Sequence, residues 1–444
     1  MNPKHIVTRF PPSPTGFLQA GNARTAVFNY LFARKHAGKF ILRIEDTDRE
    51  RSKKEYEESI IETMQWLGFE YDAFYRQSDN VKRHTEALES LIQKDLAYVS
   101  KEVPMEEGQR AEVIRLRNPN IVVTFTDVIR GPISIDTTDL GDFIIGRSVT
   151  EPLYHFGVVV DDLDEGVTHI IRGEDHISNT PRQILIQRAL GVVEPPVYAH
   201  LPLVLGPDKA KLSKRRGAKA VIQYRDEGFI PEAVVNYLAL LGWHPEGEQE
   251  IFTLNELIEH FTITRIQKGS GIFDETKLRW FNHEHLKRLS VGEYEMRLRA
   301  FIELHHEVPP SYLFEIVDEL KGRSQTLGEA VELIRAGEFA FMEEQISYDP
   351  SLLVQGAKTD IETVRKNLNV VLEMLSKITD DGFTREAVKE TIFPYATQEG
   401  RAGVLWPLRV AVSGKEKSPD PFIVAGLIGK EKTLERIKQA LDPL

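Results

Sequence analysis

The first 44 residues constrain the chain most, because a strand, a proline-rich turn, a helix and a second strand follow there without a break. Residues 5–10 alternate Ile6, Thr8 and Phe10 with other side chains, as a short strand does. Pro11, Pro12 and Pro14 then forbid any continuation of a ladder, since proline has no N–H to donate. The spacing predicts a helix over 22–37. Asn22 is a good N-cap, Ala23, Ala26, Val27, Tyr30 and Leu31 recur at helical spacing, and Gly38 is a natural stop. Residues 40–44, Phe-Ile-Leu-Arg-Ile, form an apolar run of the kind found in a buried parallel strand. Strand, helix and strand in this order make a βαβ unit, which is parallel and right-handed. The fold class expected is therefore α/β.

Two loops near this unit are candidates for chemistry. Gly16 and Gly21 have the GxxxxG spacing of a phosphate-binding loop, but Asn22 and Ala23 stand where Lys and Ser or Thr are required, so that reading fails. What remains is a helix N-terminus, whose free N–H groups and dipole suit an anion. The second loop, Lys211-Leu212-Ser213-Lys214-Arg215, is crowded with cations and taken alone reads as a solvated basic turn. Together the two suggest a nucleotide held between a helix N-terminus and a lysine loop. In the acidic segment 45–50, Thr47 and Glu50 have capping-box spacing ahead of a helix reaching about Leu67, which leaves Glu45 for the site.

From residue 98 to about 149 the pattern changes to short strands at 113–116, 121–125, 133–135 and 143–145, a mainly β insertion between two halves of a nucleotide fold. The α/β pattern returns at 154–160 and 168–176, with a helix over 180–190 and a strand at 200–205. Residues from 227 onward are predominantly helical. Ile361, Val364, Leu368, Val371, Leu372, Leu375 and Ile378 mark one face of a helix within 360–378. A chain of 444 residues with 41% apolar side chains has room for several domains. It contains no cysteine, which excludes disulfides and thiolate metal sites. No leader or membrane span is apparent, and the longest apolar run, 237–243, is far too short to cross a bilayer. The chain reads as cytoplasmic with no membrane partner. The net charge of -12 argues against indiscriminate nucleic-acid binding, although a local basic face can still hold RNA. No histidine pair has metalloprotease spacing, and His283, His285, His305 and His306 are expected on exposed helix surface.

The motifs PPSPTG, GNART, RIEDTDRERS, YRQS, RGEDHISNTPRQIL, HLPLVLGPD, KLSKRRGA and FDETKLRWFN stand in the order and spacing of bacterial-type glutamyl-tRNA synthetases. The chain resembles that family of class I aminoacyl-tRNA synthetases densely over 5–98 and 150–285, and more thinly beyond. The resemblance implies a Rossmann-type catalytic domain in two halves, 1–97 and 151–205, with a shortened acceptor-binding insertion at 98–150. It further implies a lysine-loop and helical stem-contact domain at 206–290, and an all-α anticodon-binding region at 291–444, split near 380. The implied activity is ATP-dependent ligation of L-glutamate to tRNA-Glu through a glutamyl-adenylate, transferred to the 2'-OH of the terminal adenosine. Such a reaction needs positioning and charge stabilisation rather than a protein nucleophile.

By the same resemblance, Lys214 and Lys211 act on the phosphates with Ser213 shaping the loop, and Gln19, Gly21 and Asn22 form the other half of the ATP site. Asp175 and His176 border the adenosine. Arg9 and Arg172 take the substrate carboxylates, Glu45 the ammonium, and Ser13 and Tyr154 donate or accept hydrogen bonds. Taken alone, Arg9 reads as a strand-edge cap and Arg172 as a surface ion-pair residue. The only metal expected is Mg²⁺ brought by ATP, with no zinc. Relatives of this type are typically monomeric.

Two departures stand out. The family's nucleotide motif usually begins with His, where this chain has Gln19, which cannot become cationic. The stretch 101–112 is also much shorter than its counterpart, and it precedes a strand of the domain that guides the tRNA acceptor end. The alternatives are a non-discriminating enzyme that also charges tRNA-Gln, an impaired or RNA-binding paralogue, a tRNA-modifying glutamyl transferase, and a generic nucleotidyltransferase. About 150 residues beyond Leu289 disfavour the last two.

Overall fold

The computed structural model describes residues 5–102, 112–212, 219–343, 345–442 and 444. They form two compact units, 1–285 and 286–444. In the first, β1 (Val7–Phe10), α1 (Ala20–Lys35) and β2 (Lys39–Ile44) are the expected βαβ unit, with β1 and β2 parallel in register Val7 to Lys39 through Phe10 to Leu42. After α2 (Lys54–Trp66), β3 (Ala73–Arg76) adds to the far side of β2, also parallel.

Helix α1 starts at Ala20, earlier than its composition predicts. Gln19 is the N-cap, held extended by an antiparallel bridge to Ala220, and Asn22 falls inside the first turn as an exposed residue. Tertiary pairing of Gln19 therefore overrides the capping preference of Asn22. At the other end the left-handed residue is Ala37 (φ 48°), while Gly38 is required by space: a Cβ there would sit 2.4 Å from the Ile6 carbonyl oxygen. The capping box of Thr47 and Glu50 does not form. Thr47 Oγ1 instead donates to Gln77 Oε1 at 2.9 Å, and α2 begins only at Lys54. The intervening loop is stitched to the proline turn, with Glu45 N donating to the Pro12 carbonyl and Lys53 N to that of Pro14, both at 3.0 Å.

After α3 (Val81–Gln93) come β4 (Ala97–Lys101), β5 (Glu112–Leu116), β6 (Val122–Asp127), β7 (Gly131–Asp136), β8 (Ile144–Ser148) and β9 (Glu151–Pro152). They divide between two sheets. β4, β5, β8 and β9 form an antiparallel sheet, whereas the β6–β7 hairpin joins β10 (His169–Gly173) and β11 (Val197–Leu201), which are parallel to each other. Helices α4 (Tyr154–Asp164) and α5 (Thr180–Ala189) flank these strands. β10 lies beside β1, where Thr168 N donates to the Val7 carbonyl at 3.0 Å. The three-stranded sheet β3-β2-β1 and the sheet that begins β10-β11 thus meet at a seam between β1 and β10, from which successive strands run outward in opposite directions. In a doubly wound fold that switch point opens a crevice at the carboxyl ends of the strands.

The rest of the first unit contains β12 (Val204–Leu205), α6 (Val221–Asp226), α7 (Pro231–Leu240), α8 (Leu254–His260), β13 (Gly271–Ile272) and most of α9 (Glu275–Arg288). His285, expected on exposed surface, is buried with Nε2 2.9 Å from Asn236 Oδ1. The second unit is helical among its described residues: α10 (Val291–Leu304), α11 (Leu313–Arg323), α12 (Leu327–Arg335), α13 (Leu352–Gln355), α14 (Ile361–Ser376), α15 (Arg385–Glu399), α16 (Arg401–Ser413) and α17 (Pro421–Leu441). Asp360 caps α14 by accepting from Thr363 N at 2.8 Å, and Val364, Leu368, Val371 and Leu375 bury the predicted face. Among the described residues no helix is long and apolar enough to cross a membrane.

Candidate active site

At the switch point lies a cleft of about 460 Å³. Its walls bring together Arg9, Ser13, Gln19, Gly21, Asn22, Glu45, Tyr154, Arg172, Asp175, His176 and Lys211, which come from six separate stretches of the chain. Ser213 and Lys214 lie outside the described residues.

One end of the cleft is built for a small ion carrying both signs. Arg9 and Arg172 are neither a strand-edge cap nor a surface ion-pair residue; they are 1% and 6% exposed. Arg9 makes a two-point contact with Asp162, Nε to Oδ1 at 3.0 Å and Nη2 to Oδ2 at 3.3 Å. Arg172 gives Nε to His200 Nε2 at 3.2 Å and Nη2 to Thr180 Oγ1 at 2.8 Å. Among the described residues, neither arginine has an acceptor for its buried Nη1 group. An unbonded buried guanidinium nitrogen is costly unless an anion arrives to accept from it. Glu45 lines the same end, and burial pushes its pKa up to about 7 against the pull of Arg43 and Arg9. Tyr154, partly buried on the same cleft, is pushed up to about 12 by desolvation and so keeps its hydroxyl proton.

Beneath this end runs a charged layer that the sequence did not disclose. Arg43, fully buried, contacts Asp162 at 2.8 Å, Glu165 at 2.6 Å and Glu45 at 3.3 Å. Burial works against ionisation of Asp162, but Arg9 and Arg43 outweigh it and hold its carboxyl below the usual range. The adjacent Asp161 accepts from Gln77 Nε2 at 2.7 Å and Asn80 Nδ2 at 3.0 Å, with His84 Nε2 2.7 Å away. The available signal was two consecutive acids closing the apolar run Val158-Val159-Val160, since acids on a buried face need partners.

The other end is suited to phosphates. The first N–H groups of α1, at Ala20, Gly21 and Asn22, precede the first intrahelical bond, which Ala23 N makes to the Gln19 carbonyl at 2.9 Å. Gly21 faces Val204, and a Cβ would approach that side chain only to 3.8 Å, so the protein itself does not demand glycine there. Its absence of a side chain leaves the cleft open. Arg24 fastens the helix, donating Nη1 to the Leu241 carbonyl at 3.1 Å and Nη2 to that of Pro202. Lys211 reaches the cleft from the lysine loop and bonds Asp175 Oδ2 at 2.7 Å. That bond holds the Asp175 carboxyl below its ordinary range even though burial opposes it. Both partners are about half exposed, so the pair is worth little and can part at small cost. Burial pushes His176 down to about 4, so it is neutral at ordinary pH. The described ends of the lysine loop are fixed, one by a Leu205–Lys211 bridge and the other by the Ala220–Gln19 bridge.

The arrangement can therefore hold a dianion bearing an ammonium next to a polyphosphate. Residues 5–111 and 101–280 match the catalytic domain of class I tRNA synthetases (E and Q), and residues 283–441 match an anticodon-binding domain. The chain is 40% identical to glutamate–tRNA ligase 1 of Alkalilimnicola ehrlichii, covering 98% of each chain. It is 39% identical to the glutamate–tRNA ligase of Aquifex aeolicus, covering 99% of each. Its structure resembles the crystal structure of a glutamate tRNA ligase from Elizabethkingia meningosepticum in complex with its amino acid, with a TM-score of 0.83 at 28% identity over 99% of this chain and 100% of that one.

Proposed function

This chain belongs to the class I tRNA synthetases for glutamate and glutamine, and on that premise we propose how its cleft carries out the ligation. The protein is a glutamate–tRNA ligase. The observation that carries the assignment of roles is that Arg9 and Arg172, each with a buried Nη1 group unbonded among the described residues, line one cleft with Glu45. L-Glutamate offers two carboxylates and one ammonium, and these three protein groups are their complements. Ser13 and Tyr154 complete that subsite with hydroxyl groups.

ATP lies along α1, its phosphates toward the free N–H groups at Gly21 and Asn22, with Asp175 and His176 toward the adenosine. The glutamate α-carboxylate attacks the α-phosphorus, the bond to the pyrophosphate leaving group breaks, and negative charge grows on the phosphate oxygens. Fixed donors aimed at that charge accelerate the step without reorganising. Lys211 leaves Asp175 to join them, alongside Lys214 and Ser213 of the same loop. Mg²⁺ bound with ATP would neutralise part of the phosphate charge. The 2'-OH of the terminal adenosine of tRNA-Glu then attacks the adenylate carbonyl, and AMP departs.

Gln19 lines the phosphate end as a neutral donor. Charged hydrogen bonds are about twice as strong as neutral ones, so Gln19→His should raise tRNA-dependent ATP–pyrophosphate exchange by roughly 2–10-fold. Charging purified tRNA-Glu and tRNA-Gln with labelled glutamate tests the function directly. The expected product is an ester on the terminal ribose of tRNA-Glu; label on an anticodon base, or no label, would refute the reading, and label on tRNA-Gln would show the non-discriminating form.

A further inference from the structure

We propose that His200, held by Asp127, is a positioning residue that orients the Arg172 guanidinium for a carboxylate of glutamate without neutralising it. The proposal rests on the assignment of Arg172 to that carboxylate.

The hydrogen bonds determine which form of His200 is present. Arginine only donates, so His200 Nε2, 3.2 Å from Arg172 Nε, must offer its lone pair; the Thr180 hydroxyl, 3.1 Å from the same nitrogen, can give its proton instead to the His176 carbonyl at 3.2 Å. His200 Nδ1 lies 2.7 Å from Asp127 Oδ2 and therefore carries the ring proton. Asp127 is itself locked, because Oδ1 accepts from Ile129 N at 2.9 Å and Arg130 N at 2.8 Å, and Oδ2 also accepts from His200 N at 2.9 Å. The ring is thus a neutral imidazole in one tautomer, whose orientation is fixed by a carboxylate from the end of β6.

The choice of a neutral acceptor has a chemical consequence. Arg9, on the same cleft, is paired with Asp162, whereas among the described residues no carboxylate pairs with Arg172. An acid in place of His200 would form an ion pair with Arg172 and compete with the substrate. An imidazole fixes the fork through Nε, Thr180 fixes it through Nη2, and the full positive charge and the free Nη1 remain for the incoming anion. The groups facing His200 agree with this state. Asp127 favours its charged form, while Arg172, Arg130 and burial oppose it; His176, also nearby, is neutral, and Tyr198 and Phe125 present aromatic rings. The net direction is a pKa below the ordinary histidine value, with burial the largest cause. Protonating Nε2 would place an N–H against an N–H and a cation against a cation.

The test is glutamate KM against pH in tRNA aminoacylation by the full-length enzyme and three variants. His200→Phe keeps ring volume but has no acceptor, and should raise glutamate KM by about 10-fold or more while leaving ATP KM within about 2-fold. His200→Gln returns an acceptor that does not titrate, and should recover most of that loss. In the wild type, glutamate KM should climb in two stages as pH falls, the first from Glu45 and the second from His200; His200→Gln should lose only the second. Arg172→Lys separates the two levels of the reading. A raised glutamate KM there with normal values in His200→Phe overturns this inference alone, and normal values in both overturn the assignment of Arg172 as well. Equal losses in the Phe and Gln variants, or an unchanged acid limb in the Gln variant, also overturn it. If the Phe variant does not fold, the Gln and wild-type pH profiles decide.

Discussion

Glu45 illustrates how a single buried residue sets a pH dependence. Burial raises its pKa to about 7, so it is ionised above that pH and increasingly neutral below it. The substrate ammonium stays protonated throughout this range, and only ionised Glu45 attracts it. Glutamate KM should therefore be flat above pH 7 and rise toward about 10-fold per unit as pH falls below it, with kcat at saturating glutamate affected less. Glu45→Gln should abolish that limb and show a high KM at all pH values; a wild-type KM that stays constant from pH 8 to 6 would rule the role out. Asp162 carries a structural load at the same scale. It accepts from Arg9 and Arg43 at once, and removing it leaves two buried guanidinium groups undercompensated. Asp162→Ala should cost about 3–5 kcal/mol of stability by chemical denaturation, against less than half of that for Asp162→Asn, which keeps an acceptor.

At the scale of elements, what could be read from the sequence was local. β1, α1 and β2 follow from alternation, helical spacing and an apolar run, and residues 9, 13, 45, 154 and 172 converge on one cleft because strand ends meet at a switch point. The errors arise where a distant partner wins. Gln77 takes the Thr47 hydroxyl from its capping box, and Ala220 draws Gln19 into a bridge that starts α1 early. The Asp127–His200–Arg172 relay joins residues 73 and 28 positions apart, a pairing no period reveals. Gly38 is the converse case, a glycine whose role is visible only in space. Its predicted stop signal is carried by Ala37, while Gly38 passes against the Ile6 backbone, and a Cβ would stand 2.8 Å from Ile6 Cβ as well. Because Lys39 N bonds the Ile6 carbonyl at 2.8 Å, the backbone cannot withdraw without loosening the β1–β2 ladder. Gly38→Ala should destabilise the chain by about 1–3 kcal/mol, measured as a lower denaturation midpoint; an unchanged or higher midpoint would show that the ladder yields freely.

For the whole molecule, the distribution of buried residues makes a calorimetric prediction. The first unit holds two apolar clusters, one around α1, β2 and α7 and another around α3, α4 and β10, and their residues all precede 286. The second unit buries its own set, including Leu313, Ile316, Leu320, Val364, Leu368, Val371 and Leu408. Two cores of this kind need not melt as one, since cooperative two-state behaviour is a property of single domains. Every described residue assigned to ATP or glutamate lies in the first unit. A ligand that binds only the native form stabilises by about 2.7 kcal/mol at a hundred times its dissociation constant, and only the structure that binds it gains. Scanning calorimetry should resolve two transitions. L-Glutamate with a non-hydrolysable ATP analogue should raise one of them by on the order of 5 °C and leave the other in place. The shifted transition should be the one that Gly38→Ala and Asp162→Ala lower, which ties the calorimetric unit to the cleft by an independent measurement. A single transition that moves as a whole with ligand would show instead that the helical unit unfolds together with the catalytic one.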